Sequence, residues 1–181
     1  GYNDLIARGN GLVRLPARNQ YYAEYESRRL GRWQFELAGR IYQEGLGVAV
    51  DPVLAAQWYR RGAELGDVEA MFAFGIMLAE GEGIQKNRVG AAQMFDEAAQ
   101  RGHVLANYNL ALLFLTGDGK PQNPYRAAAH LQLAAEAGVA AAQYDLATLY
   151  ATGTGVAPSA FTASELMRRA AEAGHMDAEI E

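Results

Sequence analysis

Apolar and polar residues follow the spacing of amphipathic helices, and the same pattern returns every 36 residues. In the stretch that begins at Ala106, the first, fifth, eighth and ninth positions are small or apolar. These four positions fall within one arc of about 100° on a helical wheel. The stretches that begin at Ala70 and Ala142 carry the same stripe. A fixed period of this length is typical of repeat proteins, so we expect one helix with a buried stripe in each unit.

Glycines divide each unit at two fixed places. One set is a Gly-x-Gly pair that begins at residues 9, 45, 81, 117 and 153, and the other set is Gly66, Gly102, Gly138 and Gly174. Glycine ends helices because it adopts the left-handed conformation at little steric cost. Each unit is therefore predicted to contain a first helix, a Gly-x-Gly turn with a short loop, a second helix and a single-glycine turn.

The start of the second helix is marked in every full unit by a residue type that caps helices: Asp51, Asn87, Asn123 and Ser159. Such side chains accept hydrogen bonds from the free N–H groups of the first turn. Small residues recur where the helices should cross: Gly39, Gly75, Ala111 and Ala147 in first helices, and Gly62, Ala98, Ala134 and Ala170 in second helices. A larger side chain at these points would prevent close approach of the helix axes.

The pattern predicts an all-α fold, a right-handed superhelix (solenoid) of antiparallel helix pairs that extends over residues 1–181. One helix pair cannot bury its apolar surface alone, so neighbouring pairs must stack. Full repeats are expected at 33–69, 70–105, 106–141 and 142–177. Residues 1–32 are expected to form a degenerate partial repeat, and residues 178–181 the start of a truncated one. Terminal repeats normally need a polar outer face, and its absence here favours a piece of a longer solenoid.

Composition excludes several classes of function. Half of the residues are hydrophobic, which argues against disorder, and the absence of cysteine excludes disulfides and thiolate ligands. The longest apolar run is too short for a transmembrane helix. A net charge of -5 opposes nucleic-acid binding, although Arg28-Arg29, Arg60-Arg61 and Arg168-Arg169 form basic doublets. We expect no nucleic-acid partner and no transmembrane segment in this chain.

The repeated residues resemble the Sel1-like repeat, a relative of the tetratricopeptide repeat. The first full repeat carries its motif at Gly39, Tyr42, Gly45, Gly47, Val48, Asp51, Ala56, Trp58, Tyr59, Ala63 and Gly66. Met94-Phe95 and His130-Leu131 depart from the usual Trp-Tyr pair, and Lys120-Pro121-Gln122 replaces the valine after the turn. The resemblance implies an α-solenoid that scaffolds other proteins, frequently in bacterial envelope, secretion, motility or virulence systems or in endoplasmic-reticulum quality control. It favours a periplasmic or cell-envelope location, with the cytoplasm left open.

No catalytic, cofactor-binding or metal-binding motif emerges from the chain. The Gly-x-Gly pairs belong neither to Gly-x-Gly-x-x-Gly nor to a phosphate-binding Gly-Lys-Ser/Thr loop, so we interpret them as turns. His103 and His175 follow turn glycines and are expected to be structural, and His130 is expected to pack within a helix. Glu64, Glu136 and Glu172 share one position near the end of second helices, which predicts a solvated face. We therefore predict a non-enzyme without cofactor or metal.

The third and seventh positions of the first helix lie on the side opposite the apolar stripe. In related solenoids first helices line the concave surface, so we expect a binding groove there. Its candidate residues are Glu36, Arg40, Phe72, Ile76, Tyr108, Asn109, Leu112, Tyr144, Asp145 and Thr148. The alternative is that the third position simply packs on the next repeat, because solenoid helices have neighbours on both sides.

The predicted function is a non-catalytic interaction scaffold or adaptor that binds a partner protein or peptide in its concave groove, as part of a larger bacterial envelope, secretion or signalling assembly. Two alternatives remain open. In the first, the chain is an enzyme-associated module or a hydrolase of cell-wall material, and a compact pocket with paired carboxylates would support the hydrolase. Otherwise it is a self-assembling structural spacer, which would associate in a concentration-dependent way.

Overall fold

The computed structural model describes residues 33–175, which form eight α-helices. The partial units expected at 1–32 and 178–181 lie outside the described residues, as does Arg28-Arg29. The helices are α1 Trp33–Glu44, α2 Pro52–Glu64, α3 Val68–Glu80, α4 Arg88–Gln100, α5 Val104–Thr116, α6 Pro124–Glu136, α7 Ala140–Thr152 and α8 Ala160–Glu172. Residues 33–175 contain no strand.

Neighbouring helices in the chain are also neighbours in space. The short turns between them make consecutive helices antiparallel, and each helix packs against the one before it and the one after it. A direct contact also joins α1 and α3, two first helices. The predicted class, an all-α stack of antiparallel helix pairs, is therefore confirmed.

The predicted caps are present at all four second helices. Asp51 accepts a hydrogen bond from the Leu54 N–H at 3.0 Å, and Asn87, Asn123 and Ser159 make the same bond to the residue three positions later. Two first helices are capped as well. Asp67 accepts from the Ala70 N–H at 2.8 Å, and the His103 imidazole accepts from the Ala106 N–H at 3.0 Å. The structural role expected for His103 is therefore to start α5.

The turn glycines end helices in the left-handed conformation, as predicted. Gly81, Gly117 and Gly153 follow α3, α5 and α7 with φ between 73° and 81°. The second glycine of the pair has a further role. A Cβ on Gly119 would lie 2.3 Å from the backbone oxygen of Arg88, in the preceding repeat. This turn can therefore touch the preceding repeat only because it carries no side chain.

The buried arc of the first helices is wider than the predicted stripe. The first, fifth and eighth positions are buried in α3, α5 and α7, as expected. The second and sixth positions are buried too, which widens the arc to about 160°. The second position holds Phe35, Met71, Asn107 and Gln143. A first helix packs against second helices on both sides, so one stripe on the helical wheel underestimates what it buries.

Small residues at the crossings bring the paired helices together as predicted. A Cβ on Gly39 would lie 2.5 Å from the ring of Tyr59, and a Cβ on Gly75 would lie 2.7 Å from the ring of Phe95. Tyr59 and Phe95 are among the most deeply buried large side chains. Each aromatic ring on a second helix therefore fills the space that a glycine leaves on its first helix.

Candidate protein-binding face

The ten candidate residues all lie on the side of the first helices opposite their buried arc, which we call the first-helix face. Arg40 and Thr148 are exposed, and the other eight side chains are partly buried. The structure places these residues on four successive first helices. The ten residues of the first-helix face are Glu36, Arg40, Phe72, Ile76, Tyr108, Asn109, Leu112, Tyr144, Asp145 and Thr148.

The aromatic rings of this face also touch the next repeat. Phe72 stacks on the imidazole of His103 with ring centroids 4.2 Å apart, and Tyr144 stacks on His175 at 4.6 Å. Both histidines lie in the turn that starts the next repeat. Each ring is partly exposed to solvent and partly covered by its neighbour. A rigid aromatic surface of this kind loses little side-chain freedom when a partner binds.

Tyr108 interacts with a carboxylate on the next first helix, Asp145. Burial raises the pKa of the Tyr108 hydroxyl to about 12, and the Asp145 carboxylate acts in the same direction. Burial also raises the pKa of Asp145, while the Tyr108 hydroxyl and His175 partly offset that shift. The two side chains, one on α5 and one on α7, therefore lie close enough to affect each other's pKa.

Three polar candidates are held by their own helices. The Asn109 amide donates to the Leu105 carbonyl at 3.1 Å, and the Thr148 hydroxyl donates to the Tyr144 carbonyl at 3.2 Å. Arg40 lies between two carboxylates of α1, with its Nε 3.8 Å from Glu36 and 3.4 Å from Glu44. These three side chains are therefore held by contacts within their own helices.

Buried amides at the second position of α5 and α7 were not anticipated from the sequence. The Asn107 amide donates to the His103 carbonyl at 3.2 Å, and the Asn107 oxygen lies 2.9 Å from Nδ1 of His130. Gln143 donates to the Ala135 carbonyl at 3.0 Å. These amides anchor the turns that precede α5 and α7. The available signal was a polar residue at the position where the earlier repeats have Phe35 and Met71.

The histidines have the structural roles expected of them. Nε2 of His103 lies 3.2 Å from a carboxylate oxygen of Glu69, while its other ring nitrogen caps α5. His130 is partly buried in α6 and stacks on Phe114 at 5.8 Å. Burial lowers the pKa of His130. Each ring is therefore held in place by contacts within the solenoid.

The basic doublets of second helices pair with acidic residues nearby. Arg60 and Arg61 both contact Glu64, and Arg168 contacts Glu165 and Glu172. Glu64, Glu136 and Glu172 are exposed, which confirms the predicted solvated face. Exposed pairs of this kind contribute little to stability because water screens them.

Groups that could support chemistry are sparse in the described part of the chain. Residues 33–175 contain no cluster of three or more histidine, aspartate or glutamate side chains that could hold a metal ion. An open depression of about 710 Å³ between α7 and α8 is lined by residues that include Ser159, Met167 and Arg168, and its lining contains no carboxylate. The depression therefore lacks the paired carboxylates that a hydrolase of cell-wall material would need.

No helix in the described residues is both long and apolar enough to cross a lipid bilayer.

The Sel1 repeat pattern matches four consecutive segments of the chain, residues 34–67, 68–103, 104–139 and 140–175. The chain therefore belongs to the Sel1 repeat family. No functionally curated protein resembles it closely enough in sequence to count as a match.

Solved structures of bacterial proteins share the fold. A Sel1 repeat protein from Oxalobacter formigenes is 31% identical with a TM-score of 0.78, and the match covers 86% of this chain and 63% of that one. A protective antigen present in uropathogenic Escherichia coli strains is 28% identical with a TM-score of 0.81, over 98% of this chain and 38% of that one. An immunity protein from Pseudomonas aeruginosa is 19% identical with a TM-score of 0.53, over 98% and 66%, and shows the fold alone. This chain thus spans less than two thirds of the first two proteins.

Proposed function

We propose that the chain is a non-catalytic interaction scaffold that binds a segment of a partner protein on its first-helix face, the concave side expected for this family. The observation that carries the proposal is the row of partly exposed rings Phe72, Tyr108 and Tyr144, each 36 residues from the next. Aromatic side chains held by a rigid scaffold are typical anchors of protein interfaces. The similar structures come from bacteria, which favours a bacterial envelope, secretion or signalling assembly.

The spacing of the rings sets the size of the partner segment. Packed helices lie about 10 Å apart, and an extended chain rises about 3.3 Å per residue. One repeat therefore corresponds to about three residues of an extended segment, and a segment of about ten residues reaches from α1 to α7.

Capture from native lysate tests the proposal. The wild-type chain, Tyr144→Ala and Tyr125→Ala are compared as baits, with bound proteins quantified by mass spectrometry. Tyr125 is the matched control because it is an exposed tyrosine on α6, outside the first-helix face. We expect Tyr144→Ala to lose at least tenfold of a captured partner that Tyr125→Ala retains.

Thermal unfolding separates binding from packing. Tyr144 stacks on His175, so its removal also removes an inter-repeat contact. If Tyr144→Ala melts far below the wild type yet captures the partner equally well, the ring serves only the packing of repeats. That result would reject the first-helix face as the binding surface.

A second candidate function, self-assembly as a structural spacer, is favoured by a different row of residues. The second residue of each second helix is apolar and exposed: Val53, Val89, Tyr125 and Phe161. Tyr125 and Phe161 are 77% and 83% exposed, which is unusual for large apolar side chains. Sedimentation velocity over a hundredfold concentration range tests this candidate. Association that disappears in Tyr125→Ser/Phe161→Ser supports it, and a monomer at every concentration excludes it.

A further inference from the structure

We infer that the partner segment carries lysine or arginine at one end and apolar side chains at the other, and that it lies in one direction along the first-helix face. The inference rests on the proposed function and specifies the chemistry of the partner. It follows from the uneven distribution of charge and apolar surface between the two halves of this face.

The first helices carry almost no positive charge. They contain five carboxylates and one cation, Arg40. Four of the carboxylates lie on α1 and α3, none lies on α5, and the one on α7 is Asp145, beside Tyr108. The half of the face formed by α1 and α3 is therefore acidic, and the half formed by α5 and α7 is not.

Equivalent positions show that this difference follows the order of the repeats. The residue immediately before the first position of the repeated stripe is Glu69 in α3, Leu105 in α5 and Ala141 in α7. The eleventh position holds glutamate in α1 and α3 and threonine in α5 and α7: Glu44, Glu80, Thr116 and Thr152. The third position changes from glutamate to aromatic: Glu36, Phe72, Tyr108 and Tyr144. The same backbone positions thus present carboxylates in α1 or α3 and uncharged side chains in α5 and α7.

These side chains are accessible to a partner. The Glu69 side chain is 70% exposed and Leu105 is 46% exposed, although both lie at the same position of successive first helices. Glu44 and Glu80 are also exposed. Arg40 contacts Glu36 and Glu44, so one cation faces two carboxylates and α1 keeps a net negative charge.

The second helices provide an internal comparison. They carry six basic and six acidic residues, and several of these pair within one helix, as Arg168 does with Glu165. The excess negative charge therefore belongs to the first-helix face. Complementary charge on a partner raises the association rate and fixes its orientation, and both effects weaken with salt.

A displayed library of random 12-residue peptides tests the inference. Peptides that the wild-type chain retains are synthesised with a fluorescent label, and their dissociation constants are measured by anisotropy at low and physiological salt. We expect lysine and arginine to concentrate toward one end of the retained peptides and apolar residues toward the other. A photoreactive group at the basic end should label α1 or α3, and one at the apolar end should label α7.

Two charge-matched variants separate local from global charge. Glu44→Lys/Glu80→Lys changes the last residue of two first helices, and Glu64→Lys/Glu136→Lys changes the last residue of two second helices. All four side chains are exposed, and both variants change the net charge equally. We expect the first variant to raise the dissociation constant at least tenfold at low salt and the second to leave it within twofold. Circular dichroism confirms that both variants keep their helices.

Each other outcome has a definite meaning. If the retained peptides lose binding in Tyr144→Ala but show no basic end, or if the two lysine variants weaken binding equally, the inference is wrong while the proposed function stands. If no retained peptide depends on Tyr144, the proposed function itself is rejected.

Discussion

Each repeat contains two turns that depend on glycine, and the two glycines are required for different reasons. Gly119 lies in a turn from a first to a second helix, and a Cβ there would overlap the backbone of Arg88. Gly138 lies in a turn from a second to a first helix, and a Cβ there would meet nothing within 4 Å. Both have positive φ values, 83° and 90°. In both turns a glycine recurs every 36 residues. In the first turn it permits a contact between repeats, and in the second it only permits a backbone conformation.

Both turns are closed by backbone hydrogen bonds, and several second turns have side-chain hydrogen bonds in addition. In the first turn the N–H of each capping residue donates to a carbonyl of the preceding helix, as Asn123 does to Phe114 at 2.8 Å. In the second turn His103 donates in the same way to the Ala98 carbonyl at 3.0 Å. Several second turns are anchored by side chains. Asn107 donates to the His103 carbonyl, and Arg101 donates to the Gly66 carbonyl at 3.2 Å. In these second turns the identity of nearby polar residues therefore matters in addition to the backbone closure that both turns share.

The largest effect is expected for Gly119→Ala. The variant combines an unfavourable backbone conformation with an overlap against the Arg88 backbone, and the two costs together come to about 3 kcal/mol or more. Urea unfolding followed by circular dichroism measures the loss. The matched control is Gly138→Ala, which has the conformational cost alone and is expected to lose about 1 kcal/mol. Equal losses in the two variants would show that the contact between repeats does not matter.

A smaller effect is expected for Asn107→Met, which replaces a buried amide with the residue found at the same position in the preceding repeat. The His130 ring loses its partner and the His103 carbonyl keeps only the backbone N–H of residue 107, at a cost of about 2 kcal/mol. The preceding repeat has Met71 and Met94 at the positions of Asn107 and His130. We therefore expect Asn107→Met/His130→Met to be more stable than Asn107→Met alone. Failure of this rescue in urea unfolding would contradict the proposed role of the pair.

Removal of a cap in the first turn is expected to cost less. Asn123→Ala leaves the Arg126 N–H without its side-chain acceptor and is expected to lose about 1 kcal/mol of unfolding free energy. Asn123→Ser keeps an acceptor oxygen and should remain close to wild type. A serine variant as unstable as the alanine variant would argue that the cap does not hold the turn in place.

The smallest effect is a pH dependence that arises at His130, within α6. Burial lowers the pKa of His130, with Arg126 and Lys120 acting in the same direction and Asp96 opposing them. The folded chain therefore takes up a proton on this ring less readily than the unfolded chain, whose histidine pKa is about 6.5. Neutral His130 therefore contributes to the unfolding free energy above about pH 6.5, and this contribution is lost as the pH falls through the pKa of His130 in the folded chain. We expect the unfolding free energy to fall less between pH 7 and pH 5 in His130→Gln than in the wild type.

The sequence was sufficient for most of the local structure because every signal occurs several times. Asp51, Asn87 and Asn123 occupy one position in successive units, so a capping role could be inferred for all of them together. Glycine turns and small residues at helix crossings were predictable for the same reason. A signal that recurs in several repeats can be interpreted even where a single copy would be ambiguous.

The buried amides and the contacts of the aromatic face were harder to predict because they depend on residues far apart in the chain. Asn107 and Gln143 are polar and lie outside the predicted stripe, yet neighbouring helices cover them. Phe72 meets His103 only because the next repeat folds back beside it. A helical wheel describes one helix at a time, so it cannot show what a stacked neighbour covers. The binding role of the face remains a prediction.

The contact that Gly119 makes with Arg88 has counterparts at two other junctions, where Gly83 meets Pro52 and Gly155 meets Pro124 through the same backbone atoms. Each repeat therefore presents the same backbone contact to the next repeat, whatever side chains it carries. Duplicating or deleting a whole unit would recreate an existing junction and need no new one. Such a molecule can change its reach in evolution by adding or losing copies, while the residues exposed on each copy diverge independently.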